Sequence, residues 1–204
     1  MDTNKSGVVE HANSQKKEEG GEKNTPDITY IDFLIQSIKK TDSVLSPESK
    51  GYHTYGLINI VVFSVLVMIN SLVGRLILVN RYDWDFGSIF NYLSRGISYL
   101  IAIAILLAAF KHFANKQGNH YDLNFFMEKL GAMLVVPSIL IICSIPLEII
   151  DITIHSWISS LAFTFLYLSV FMISYLFVAR NNLQTASLFI IGFYLGYRLI
   201  YYIF

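Results

Sequence analysis

The stretch Leu130-Gly-Ala-Met-Leu-Val-Val-Pro-Ser-Ile-Leu-Ile-Ile-Cys-Ser-Ile-Pro-Leu147, leaving through Glu148-Ile-Ile-Asp151-Ile-Thr-Ile-His155, is the third of five long hydrophobic segments. Its reading decides the fold. The 18 residues from Leu130 to Leu147 carry no charge. As one helix they rise about 27 Å, close to the roughly 30 Å of a bilayer's hydrocarbon core. Pro137 and Pro146 each remove a backbone donor and crowd the preceding turn. Kinks are therefore expected near both, tolerated where neighbouring helices or water satisfy the freed carbonyls.

The other four segments run from about Gly56 to Val79, Ile89 to Phe113, Trp157 to Ala179 and Thr185 to Phe204. Runs of roughly 18–25 apolar residues can cross a bilayer with some tilt. The expected fold class is therefore all-α, a polytopic membrane bundle of five transmembrane helices over residues 56–204. Composition points the same way, because 54% of the 204 residues are hydrophobic and only 15% charged, too apolar for an ordinary soluble domain. The formal net charge is zero, so no global field argues for nucleic acid as a partner.

The charges concentrate ahead of the first span. Residues 1–50 hold seven of the fifteen Lys and Arg residues and nine of the fifteen acids. Residues 1–27, with Gln-Lys-Lys-Glu-Glu-Gly-Gly-Glu-Lys from position 15, hold too little apolar content to repay the entropy of ordering and read as a disordered polar tail. No hydrophobic core follows the first lysines, so a cleavable secretory leader is not expected. Residues 28–50 differ. Ile31, Leu34, Ile35 and Ile38 fall at i, i+3, i+4 and i+7, the pattern of an amphipathic helix. It is too short and too charged to span, so it is expected at the headgroup boundary with Lys39 and Lys40 toward anionic lipid, or packed on the bundle. Ser46-Pro47-Glu48 offers an N-cap and N1 proline for a second short turn.

Candidate polar sites are few. If the third helix continues past Pro146, then Glu148, Asp151 and His155, spaced i, i+3 and i+7, share one face. Two carboxylates and an imidazole there suit a divalent cation or a proton relay; alternatively they end the helix at a solvated outer interface. Asn59 and Asn70 lie inside the first span, where asparagine usually bonds to a neighbouring helix. Gly192-Phe-Tyr-Leu-Gly196 has the GxxxG spacing that clears a helix face for close contact, within the chain or between two copies in a homo-oligomer. Arg198 is expected at the interface or against an acid such as Glu148 or Asp151. The single cysteine, Cys143, sits in an apolar run and reads as a small buried hydrophobe; it permits no internal disulfide and no cysteine zinc site. His112 and His120 flank a turn at Gly118-Asn119, with Asp122 as the next N-cap. There is no nucleotide loop, no nucleophile with a base and no His-Glu-x-x-His, so no enzyme, catalytic residue, cofactor or metal is expected.

Five crossings put the termini on opposite sides. With the N-terminus inside, inner regions carry eleven Lys and Arg residues and outer regions four, Arg75, Arg81, Arg95 and Arg198. The positive-inside rule then gives a cell-membrane protein, or an endomembrane one if the source is eukaryotic, with its N-terminus cytoplasmic and its C-terminus outside.

A polar tail, the segment Ile31-Asp-Phe-Leu-Ile-Gln-Ser-Ile-Lys-Lys with a proline nearby, and five close-spaced helices with a proline in the third resemble the Yip1-type membrane domain over roughly residues 28–204. The likeness is one of layout and hydropathy, closest to the bacterial relatives. Those often carry an N-terminal zinc ribbon with paired cysteines, which this chain lacks. Eukaryotic members are associated with vesicle trafficking and small GTPase partners. The resemblance implies a non-enzymatic scaffold or adaptor in the bilayer, acting through membrane or cytoplasmic protein partners. The alternative expectation is a transporter or channel subunit with its pathway along the kinked third helix.

Overall fold

The computed structural model describes residues 28–78, 86–150 and 152–203, with the side chains of 42–43, 75–78, 86–89 and 152 left out of account. The tail expected over residues 1–27 and the acid Asp151 lie outside the described residues. Among those residues every regular element is helical. A short N-terminal pair, α1 (Tyr30–Lys39) and α2 (Thr41–Val44), precedes α3 (His53–Leu78), α4 (Phe86–Lys116), α5 (Leu123–Met133), α6 (Val135–Ile150), α7 (Ile152–Ile173) and α8 (Leu183–Ile203). A π-helical turn, Ser174–Val178, continues α7.

Five segments are long and apolar enough to cross a membrane: His53–Gly74, Phe90–Lys116, Leu123–Ile150, Thr153–Val178 and Leu183–Ile203. At 1.5 Å per residue they rise about 31 to 42 Å, sufficient for the hydrocarbon core of a multi-pass membrane protein. Their outward faces are apolar, as at Val61, Val65 and Ile69 on α3 or Leu188, Ile191 and Leu195 on α8. Consecutive spans alternate in direction. The end bearing Tyr52, the 117–122 turn and the 179–182 turn is called the near end, and the opposite end the far end.

The third span is longer than its apolar run suggested. It starts at Leu123, with Asp122 accepting from the Phe125 amide at 2.8 Å as N-cap. Glu128 and Lys129 interrupt the hydropathy but not the helix, because they neutralise each other. The span is broken between Met133 and Val135, one turn before Pro137. The reason is local: a proline at 137 cannot donate to the Met133 carbonyl and its ring crowds it. Two side chains meet the carbonyls exposed by the break. Asn59 of α3 donates to the Gly131 carbonyl, and Ser169 of α7 donates to that of Met133 at 3.4 Å. Beyond the break α6 runs through Pro146 to Ile150 without interruption.

The close backbone crossing is elsewhere than the GxxxG pair. Gly56 and Gly131 pack α3 on α5 so tightly that a Cβ on Gly131 would meet the Gly56 backbone. Gly96 holds α4 similarly against Ser64 and Met68 of α3. A Cβ on Gly192 or Gly196 would meet nothing within 4 Å, so the contact expected within the chain is not made there. Both instead line an apolar groove of about 370 Å³ between α4 and α8. Cys143 is likewise exposed on the outward side of α6 rather than buried, next to the exposed Ile142.

The core is aromatic. Tyr99 stacks on Tyr197 with centroids 3.9 Å apart and on Phe163 at 5.4 Å, tying α4 to α8 and α7. Phe110 packs against Phe126 and Phe189, joining α4, α5 and α8.

Candidate functional site

Two polar clusters lie at opposite ends of the bundle. The near-end cluster seats the N-terminal segment. Thr29 caps α1 through a capping box, its hydroxyl accepting from the Asp32 amide and the Asp32 carboxylate accepting from the Thr29 amide, each at 3.2 Å. The hydrogen bonds donated to it by the Thr29 hydroxyl, at 2.7 Å, and by the Thr29 amide hold the Asp32 carboxyl below its ordinary value. Phe33 and Ser37 face the bundle, and Phe33 joins Tyr30, Tyr52 and Tyr55 in an aromatic group. Burial lifts the Tyr52 hydroxyl above its usual range, with the nearby Glu128 carboxylate adding to the rise.

Glu128 itself is buried and satisfied. It accepts from the Ser49 hydroxyl at 3.0 Å, from the amides of Lys50 and Tyr52 at 3.1 and 3.0 Å, and from Lys129 at 3.2 Å. Lys129 donates also to the Glu48 carbonyl at 2.8 Å and lies over the Phe125 ring. These bonds pull residues 48–52 across the bundle as bent and extended chain, which is why Ser46-Pro47-Glu48 starts no helix. Sequence reasoning missed both residues. The available signal was an adjacent Glu-Lys pair set between Phe125-Phe126 and an apolar run, the composition of a neutralised buried pair.

The isoleucines of α1 turn away from this contact. Ile31, Ile35 and Ile38 are exposed, Leu34 is half-buried, and Lys39 and Lys40 are exposed at the C-terminal end. Of the two placements expected for this stripe, packing on the bundle is therefore not adopted by the isoleucines; Phe33 and Ser37 make that contact.

The far-end cluster is built from α3, α4, α6 and α7. Glu148 and His155 meet, but not as neighbours on one continuous helix. His155 Nδ1 lies 3.0 Å from the Ser144 carbonyl, eleven residues back, so the chain has reversed between α6 and α7. The solvated helix end considered above does not describe Glu148, which is only 7% exposed. Its Oε1 lies 3.4 Å from His155 Nε2, and its Oε2 is buried without a hydrogen-bond partner among the described residues. Gly74 makes the room: a Cβ there would collide with Oε1. Arg198 does not pair with Glu148; it donates from Nε to the Tyr194 hydroxyl at 3.3 Å.

The proton count of the pair follows from geometry. A carbonyl can only accept, so His155 Nδ1 carries a proton and donates to Ser144. Nε2 therefore bonds to Oε1 only if one further proton lies between them, on the imidazole or on the carboxyl. Asn70 braces the arrangement by accepting from the Ser144 hydroxyl at 3.0 Å.

These groups open on a cavity of about 340 Å³ lined by Ser71, Arg95, Ser156, Ser159 and Ser160 as well as Glu148 and His155. Its size lies within the range of small-molecule sites, and its wall carries hydroxyls, a cation and an acid–imidazole pair. Among the described residues no three His, Cys, Asp or Glu side chains are grouped so as to hold a metal ion. Comparison of the chain with protein-family models, curated proteins and solved structures gives no match.

Proposed function

We propose that this multi-pass membrane protein binds a small polar solute in the far-end cavity, in the manner of a transporter or channel subunit, without catalysing a reaction. One observation carries the reading: Glu148, on a membrane-spanning helix, is buried with one carboxylate oxygen lacking a donor among the described residues. An ionisable group so placed is costly unless it is satisfied or used. A ligand N–H or O–H meeting Oε2 would supply the missing bond, while the serine hydroxyls and Arg95 supply both donors and acceptors around it.

The test is a stability screen in lipid nanodiscs against small polar solutes: amino acids, polyols, sugars and alkylammonium ions. At least one class is expected to raise the melting temperature of the wild type and to lose that effect in Glu148→Gln. A folded wild type that responds to none of these classes contradicts the reading.

The second reading, a Yip1-like scaffold acting through its N-terminal region, is favoured by α1. The helix is seated on the bundle by Phe33 yet presents Ile31, Ile35 and Ile38 outward with Lys39 beside them, as a membrane-surface element would. It predicts that deleting residues 28–50 abolishes recovery of protein partners in a crosslinked pull-down. With the basic residues divided eleven to four, the near end is assigned to the cytoplasm and the far-end cavity to the outer face of the cell membrane.

A further inference from the structure

Beside the Glu148 cavity lies a second, of about 520 Å³, between α4, α7 and α8; the two share Arg95, Ser160 and Phe163. Its chemistry is different. Among the described residues no carboxylate lines it, whereas two arginines and several hydroxyl groups do, among them those of Thr164, Tyr167 and Tyr194. Both guanidinium groups are steered by aromatic faces. That of Arg95 lies 5.5 Å from the centroid of Phe163, and that of Arg198 lies 5.6 Å from that of Tyr194. Among the described residues neither forms an ion pair with a carboxylate.

Depth narrows what such a cleft would receive. Arg95 is nine residues into α4, which begins at Phe86, and Arg198 is five residues before the last residue of α8, Ile203. Along their helices they sit about 14 Å and about 8 Å from the far ends, a depth from which the long side chain of arginine reaches toward lipid headgroups. Two guanidinium groups and several phenols line this one cleft, and the guanidinium fork is the donor set suited to phosphate oxygens. We propose that this cleft holds an anionic phosphate group, supplied by a bilayer phospholipid whose acyl chains lie along the exposed apolar faces of α7 and α8. This goes beyond the solute reading and does not depend on it, because Arg198 lines only the second cavity.

The experiment is native mass spectrometry of the full chain released from nanodiscs of phosphatidylglycerol, phosphatidylcholine or diacylglycerol, with and without millimolar inorganic phosphate. Phosphatidylglycerol adducts are expected on the wild type and not diacylglycerol adducts. Loss of charge-assisted hydrogen bonds predicts that Arg198→Gln lowers adduct occupancy about tenfold, with Arg198→Lys between the two. Arg198 is exposed, so these variants should keep the wild-type melting temperature in detergent. Glu148→Gln is expected to retain the lipid, which separates this outcome from that of the solute screen. Displacement by inorganic phosphate would overturn the lipid as source and leave a soluble phosphate site. Equal retention by wild type and Arg198→Gln, or retention of diacylglycerol as strong as that of phosphatidylglycerol, would overturn the proposal.

Discussion

An alanine methyl at position 74 and the Glu148 carboxylate would occupy the same space, so the simplest residue-scale test leaves the acid itself untouched. Gly74→Ala is expected to push Oε1 off His155 and reproduce the functional loss of Glu148→Gln. The atom displaced is the mobile end of a side chain, so the cost in stability should be small. Gly131→Ala is a contrast, because its methyl meets the Gly56 backbone, which has nowhere to go. Overpacking of that kind costs about 1–3 kcal/mol, readable as a lower unfolding midpoint in detergent. The near-end ion pair gives a second contrast. Glu128→Ala leaves Lys129 buried without its acid, a change costing about 3–5 kcal/mol in comparable pairs. Lys129→Met should cost less, since Glu128 keeps donors from Ser49, Lys50 and Tyr52. Tryptic cleavage at Lys50 should accelerate in the first variant and much less in the second.

At the scale of elements, the break before Pro137 was half legible. A proline in the third apolar run foretold a disruption, and the missing donor to Met133 explains where it falls. That Asn59 and Ser169 would meet the exposed carbonyls was not readable, because periodicity says which face a residue occupies but not which carbonyl it meets. Asn59→Leu is expected to cost about 1 kcal/mol, the usual worth of a hydrogen bond between membrane helices. Helix α1 shows the same division. Its period was plain from Ile31 to Ile38, yet the bundle-facing pair is Phe33 and Ser37, since an aromatic cluster with Tyr30, Tyr52 and Tyr55 outcompetes the isoleucines for that contact. The cap of α1 should be sensitive to acid. Asp32 has a folded-state value below its ordinary one, so its contribution is present at neutral pH and is lost as pH falls through that lowered value. Amide exchange at Asp32 and Phe33 should rise with acidification, and Thr29→Ala should raise it at neutral pH.

For the molecule as a whole, five apolar runs were enough to give an all-helical bundle with five potential crossings, since apolar length is what a bilayer selects. The sites were less legible. Their spacing puts Glu148, Asp151 and His155 on one face only of a continuous helix, whereas the observed Glu148–His155 pair spans a reversal between α6 and α7. Arg95 went unnoticed as a cavity residue because its partners come from a span some sixty positions away, at Ser160 and Phe163.

The central claim is that water and solutes reach Glu148 from the far end of the bundle. It is tested most directly by introducing Ser159→Cys in a Cys143→Ser background and treating intact cells with a membrane-impermeant, charged thiol reagent. Rapid modification at position 159 from outside is expected, slowed by the solute that stabilises the wild type, with the outward-facing Cys143 of the unaltered chain unreactive in hydrocarbon. Absence of modification at 159 from both sides of the membrane, in a protein that is folded and inserted, would contradict it.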